Sequence, residues 1–279
     1  MAQLVKLQDY ISRYEVDIYK YPSQFIRLKK EQYHLLLNRW KQELELNSVN
    51  DVSETVDELP LTEIELKQKF LNKIFPFQLK WASSTISDLS FLDQKYEVDE
   101  RLKYYVQRFP DTYLLMYEPI FKLKNAIVDG EIIMITPSEI ICIKELDETT
   151  ETYFIPVDDR KWFKKQNGQE SIIVSPIIHL RRMENMLQSI LDYHKIDFPI
   201  KRVVLAENHI IEKSYIPYKT EYVDQINYES WFKAHRSGSF PLKFRQLKTC
   251  EALLNYTQKT YIKRPEWKDE DFELTFEQE

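Results

Sequence analysis

The segment GEIIMITPSEIICIKEL, residues 130–146, limits what this chain can fold into more than any other stretch. Two apolar, β-branched runs of the kind that favour strands flank the corner Thr136-Pro137-Ser138-Glu139. A four-residue corner there sets a hairpin in which Ile135 pairs with Ile140, Ile133 with Cys142 and Glu131 with Lys144. Side chains alternate along a strand, so Asp129, Glu131, Ile133, Cys142, Lys144 and Leu146 share one face, and Glu145 lies on the other with Ile132. A divalent cation needs several oxygen ligands converging on one point. On the shared face the carboxylates are Asp129 and Glu131, and an ammonium stands opposite them. Lys144 supplies the charge a cation would have supplied, so a Glu131–Lys144 ion pair is expected, worth roughly 0.2–1 kcal/mol if exposed.

The rest of the chain places this hairpin in a mixed α/β context. Residues 62–109 read mainly as helix, and TYLLMYEPIFKL and TETYFIPV read as strands on either side of the hairpin. Ser175 is suited to cap a long helix with Pro176 at its first position, and Leu180, Met183, Leu187, Ile190 and Leu191 form its core stripe. FPIKRVVLAEN then returns as a strand, which makes the helix a crossover in a mixed sheet. Three regions are expected: an aromatic, helical extension with an acidic linker at 1–60, a core at 61–210, and a helical region with an acidic tail at 211–279. Between Glu43 and Glu65 the chain carries eight acids and no Lys or Arg, the pattern of a solvated linker.

Composition narrows the chemistry. Glycines stand only at 130, 168 and 238, so no glycine-rich phosphate loop exists. Cys142 and Cys250 are read as two buried thiols in a reducing compartment. The N-terminus lacks the apolar core of a signal peptide and no window has the length of a membrane span, so a cytoplasmic protein without membrane contact is expected. His34, His179, His194, His209 and His235 show no close metal-ligand spacing. The net charge of −6 argues against a general nucleic-acid coat. Local basic groups at Arg160, Lys161, Lys164, Lys165, Arg181, Arg182, Lys201 and Arg202 and in WFKAHRSGSFPLKFRQLK, residues 231–248, with Trp162, Phe163, Trp231, Phe232 and Phe244 interleaved, leave a nucleic-acid contact open.

The order of EIIMITPSEIICIKEL, Trp162, SIIVSPIIHLRRMENMLQSIL and FPIKRVVLAEN, over about residues 95–210, resembles the nuclease-related domain (NERD) family of the PD-(D/E)XK nuclease-like superfamily. The resemblance implies a restriction-endonuclease-like core: a mixed central β-sheet with flanking helices, here with a helical N-terminal extension. It also implies a site made of an Asp on the first arm and a Glu-x-Lys on the second. Aligned through Thr136-Pro137, Glu131 takes the Asp position, Lys144 that of the Glu and Leu146 that of the catalytic Lys. The family's Asn-Pro-x-x-Gln at the next helix start corresponds to Ser175, Pro176 and His179, and Glu100 is the candidate for an acid from a preceding helix.

Glu131, Lys144 and His179 are thus the expected residues of a degenerate site. The leading expectation is a NERD-like pseudo-enzyme that uses no cofactor and acts by binding a macromolecular partner, a protein for instance. One alternative is an active nuclease in which a bulge at Gly130 slips the register and Asp129, Glu131 and Glu145 hold Mg²⁺ or Mn²⁺. Another is a nucleic-acid-binding module without catalysis.

Overall fold

The computed structural model describes residues 1–49, 62–124, 126–238 and 240–264. Most of the acidic run between Glu43 and Glu65 and the acidic tail at 266–279 lie outside the described residues. In chain order the strands are β1 (Gln3–Leu7), β2 (Asp88–Leu89), β3 (Leu114–Tyr117), β4 (Ile120–Leu123), β5 (Ala126–Asp129), β6 (Ile132–Ile135) and β7 (Ile140–Glu145). They continue as β8 (Tyr153–Pro156), β9 (Lys161–Gln166), β10 (Gln169–Val174), β11 (Ile200–Ala206), β12 (Ile210–Ile211), β13 (Thr220–Asp224) and β14 (Ile262–Lys263). The helices are α1 (Tyr21–Val49), α2 (Glu63–Trp81), α3 (Glu100–Arg108), α4 (Pro176–Tyr193), α5 (Tyr228–Arg236) and α6 (Phe244–Leu254).

The architecture is mixed α/β around a six-stranded sheet of order β1-β3-β6-β7-β11-β13. The β3–β6–β7 meander is antiparallel, and β1, β11 and β13 join their neighbours in parallel. All four residues of β6, Ile132 to Ile135, and the first four of β7, Ile140 to Ile143, are fully buried. Such runs need cover on both faces. On one face α4 supplies it with Leu180, Met183, Leu187 and Leu191, and helices including α2 and α3 pack on the other side. Ser175 caps α4 through a hydrogen bond from the Ile177 N–H at 3.3 Å, with Pro176 following it as expected.

The N-terminal segment differs from its reading as a helical extension, because β1 forms an edge of the central sheet, paired with β3. Gln3 and Lys6 look like solvent positions in QLVKL, yet both are buried. Gln3 donates to the carbonyls of Pro22 at 3.2 Å and Asp111 at 2.6 Å. The Lys6 ammonium bonds Glu15 at 2.6 Å and the carbonyls of Tyr10 at 2.6 Å and Gln258 at 2.9 Å. Gln78 of α2 protects the outer edge of β1, accepting from the Leu4 N–H at 3.1 Å and donating to the Ala2 carbonyl at 3.2 Å. The region after residue 210, read as helical, likewise contributes β13 to the sheet, and α5 and α6 follow it. Gln246 of α6 fastens that helix to the sheet by donating to the carbonyls of Thr112 at 2.6 Å and Ile135 at 2.8 Å.

A second sheet of order β10-β9-β8-β12 lies beyond β7 in sequence. Trp162 is fully buried there, edge-on to Tyr222 with ring centroids 5.2 Å apart. Cys142 and Cys250 are buried free thiols, as expected. Among the described residues no helix is long and apolar enough to cross a membrane.

Candidate functional site

The hairpin forms in the expected register, with Ile132, Ile133, Met134 and Ile135 opposite Ile143, Cys142, Ile141 and Ile140. Thr136 shapes the corner: its hydroxyl accepts from the Ser138 N–H at 3.2 Å and the Glu139 N–H at 3.0 Å, and its own N–H reaches the Glu139 carbonyl at 2.9 Å. The one-residue slip required by the active alternative does not occur, since the pairing runs without interruption.

At the open end of the hairpin, Lys144 Nζ lies 2.6 Å from Glu131 Oε1, the cross-strand pair derived from the alternation. The Glu131 N–H points to Met183 Sδ of α4 at 3.4 Å, and His179 Nδ1 stands 4.0 Å from the same Glu131 oxygen. Glu131, Lys144 and His179 therefore meet. The pair keeps contact with water, its Lys144 and Glu131 side chains being 31% and 18% exposed, which places it near the weak end for ion pairs.

The other residues named from the sequence fall elsewhere. Asp129 is exposed on β5, which pairs with β4 in a separate two-stranded ribbon. The ribbon leaves the sheet at Gly130, whose N–H donates to the Pro119 carbonyl at 2.8 Å; a Cβ here would come within 2.8 Å of that oxygen, so the close approach requires glycine. Gly130 thus ends a ribbon and does not supply the bulge that would bring Glu145 around. Glu100 pairs on the surface with Lys103 at 2.8 Å and takes no part in the site.

Glu145 points to the opposite face of the sheet. There it accepts from the Tyr105 hydroxyl and pairs with the Arg101 guanidinium, and Arg101 also lies 3.4 Å from Glu118. Burial raises the Glu145 pKa, while Arg101 and the Tyr105 hydrogen bond work against the rise. Arg101 and Tyr105 stand one helical turn apart on α3, whose start is capped by Asp99 accepting from the Leu102 N–H at 2.9 Å. Sequence reasoning missed both residues. The i,i+4 spacing was legible, but which carboxylate they would meet depends on how α3 crosses the sheet. Beside them a cavity of about 230 Å³ is lined by Arg101, Tyr104, Glu145, Glu207 and His209 at the carboxyl ends of β7 and β11. Burial raises the Glu207 pKa as well.

These positions do not fit a catalytic metal. The carboxylate on the first arm is neutralised by Lys144, Glu145 lies across the sheet, and Asp129 sits in another ribbon. Among the described residues no three His, Cys, Asp or Glu side chains gather in a way that would hold an ion.

The basic groups read from the sequence are largely matched with acids. Lys164 pairs with Glu148 at 2.6 Å, Lys165 with Glu170 at 3.1 Å, Lys201 with Glu221 at 2.6 Å, Arg202 with Glu184 at 3.1 Å, and Arg181 with Asp159. Trp162 and Trp231 are buried, so they are core residues and not platforms for stacking bases.

No family model matches the chain, and no solved structure matches it. Over 43 residues, 15% of this chain, the sequence is 56% identical to an RNA 2',3'-cyclic phosphodiesterase of Geobacillus stearothermophilus, and the match spans 14% of that protein's length.

Proposed function

We propose that this chain is a nuclease-related protein of the NERD type whose metal-dependent chemistry has been replaced by an ion pair, and that it acts by binding a macromolecular partner. The observation that carries the reading is the 2.6 Å contact between Lys144 and Glu131 at the place where the family holds its cation. In the same reading β3, β6, β7, α4 and β11 are the restriction-endonuclease-like core, with Leu146 at the position of the catalytic lysine. A leucine has no proton to give and no charge to stabilise a leaving group, so the core would keep its shape without its reaction. The stretch shared with the phosphodiesterase covers too little of either chain to bring that activity here.

The test is cleavage of labelled single- and double-stranded DNA and RNA with Mg²⁺ or Mn²⁺, together with calorimetric titration of each metal. The wild type is expected to neither cleave nor bind metal tightly, whereas a Lys144→Glu, Leu146→Lys variant gains metal affinity. Cleavage by the wild type that disappears in Glu131→Ala would overturn the reading.

A further inference from the structure

The helical side of the molecule carries a second cavity, unrelated to the hairpin. It has a volume of about 380 Å³ and lies where α1, α2, the end of α3 and α5 meet. Its size falls in the range of small-molecule sites. Five cations line it: Lys29 and Lys30 from α1, Lys67 from α2, Arg108 from α3 and Arg236 from α5. Asp111 is the one carboxylate among its described lining residues, and Lys29 already engages it at 2.5 Å.

What marks this cavity is that several cations without an acid at contact distance gather in one concave place. The protein has a net charge of −6, and around the hairpin and α4 each of Lys144, Lys164, Lys201 and Arg202 has an acid at 3.1 Å or closer. Among the described residues, Lys30, Lys67, Arg108 and Arg236 have no such acid. Lys29 beside them has its pKa lowered by burial first, with Asp111 opposing and Lys30 and Lys67 lowering it further. The four side chains are exposed, so water screens their repulsion, and an anion placed among them would meet positive charge that no nearby acid of the chain offsets at contact distance.

Beside the cations the lining is apolar and open: Ile64 is 81% exposed, and Tyr33 and Leu71 are half-buried, with the Tyr33 ring 5.3 Å from the buried Phe70 ring. A bare inorganic anion would leave these side chains in water. We propose that the cavity binds a small organic phosphate, such as a nucleotide, with its phosphate held by Lys67 and Arg108 and its apolar or aromatic body against Tyr33, Ile64 and Leu71. Recognition runs through side chains, Arg108 offering the planar fork suited to phosphate and Lys67 a point charge, so no glycine-rich loop is needed. The terminal phosphate of a nucleic-acid strand has the same chemistry, and the experiment separates the two sources.

The test is calorimetric titration of the full chain with AMP, adenosine, inorganic phosphate and a 5'-phosphorylated oligonucleotide. It is repeated on a Lys67→Gln, Arg108→Gln variant and on Lys144→Met, with circular dichroism confirming that each is folded. AMP is expected to bind, adenosine and inorganic phosphate to bind at least about tenfold more weakly, and the double variant to lose at least about tenfold, since each charge-assisted bond contributes on that scale. Lys144→Met should leave the affinity unchanged, which separates this site from the hairpin. Tighter binding of the oligonucleotide than of AMP, lost in the double variant, would assign the phosphate to a strand end. Absence of binding by every phosphate probe would overturn the proposal. So would binding that the double variant leaves intact.

Discussion

The two faces of the central sheet treat neighbouring residues of β7 in opposite ways. Lys144 projects toward α4 and meets Glu131 with part of both side chains in water. Glu145, the next residue, projects toward α3 and is 15% exposed, held by Arg101 and Tyr105. The two pairs are about equally exposed, 31% and 18% on the α4 face against 38% and 15% on the α3 face. What differs is the company each carboxylate keeps: Glu145 lies against the buried Tyr105 ring and near Asp147 and Glu207, and burial first, then those acids, raise its pKa against the pull of Arg101. The comparison teaches that neither the distance nor the exposure of an ion pair sets its weight in the fold; the other groups around the carboxylate do.

Removing the cation on the α3 face should have the largest effect. Arg101→Leu leaves Glu145 without a counter-charge and should destabilise the fold by about 2 kcal/mol at neutral pH. That is below the full cost of breaking a buried pair, because Arg101 is 38% exposed. Urea unfolding measures it, and a change under about 0.5 kcal/mol would show that water replaces the guanidinium.

The next effect concerns pH. The folded protein holds the Glu145 proton more tightly than the unfolded chain does, so this carboxyl favours the fold below its ordinary pKa of 4.5. The contribution is lost as pH rises from there through the raised folded value. Glu145→Gln should therefore flatten the slope of stability against pH in that window, and an unaltered slope would mean that the carboxylate is ionised as easily as in water.

The smallest effect is expected on the α4 face, where Lys144→Met should shift unfolding by less than about 1 kcal/mol. A loss as large as that of Arg101→Leu would erase the contrast between the faces.

Much of the hairpin was legible in the sequence because its determinants are local. Thr136 and Pro137 set the corner, the corner sets the register, and strict alternation then places Glu131 beside Lys144 and turns Glu145 away. The start of α4 at Ser175-Pro176 was legible for the same reason, since capping involves residues two or three apart. The strand β1 was not, because its partner β3 lies more than a hundred residues away and its polar side chains are satisfied by Pro22, Asp111, Glu15 and Gln258. A short strand with Gln and Lys in it reads as surface until those partners are known.

The cation-lined cavity was hidden for a similar reason. Lys30, Lys67 and Arg108 are scattered along the chain and each looks like any solvated charge, while Arg236 stands in the basic run 231–248 with nothing local to tie it to the other three. Of the basic residues that did stand out, Lys164, Lys165, Arg181 and Arg202 prove to be matched by acids drawn from other segments.

By itself the sequence determined the hairpin, its register, the cross-strand partner of Glu131 and the cap of α4, since backbone geometry over a few residues decides each of these. Tertiary structure alone decided that Glu145 would be buried against Arg101 and Tyr105, that the first strand would close one edge of the sheet, and which cations would be left without acids. Those outcomes depend on which distant surfaces exclude water together, and no local spacing encodes that.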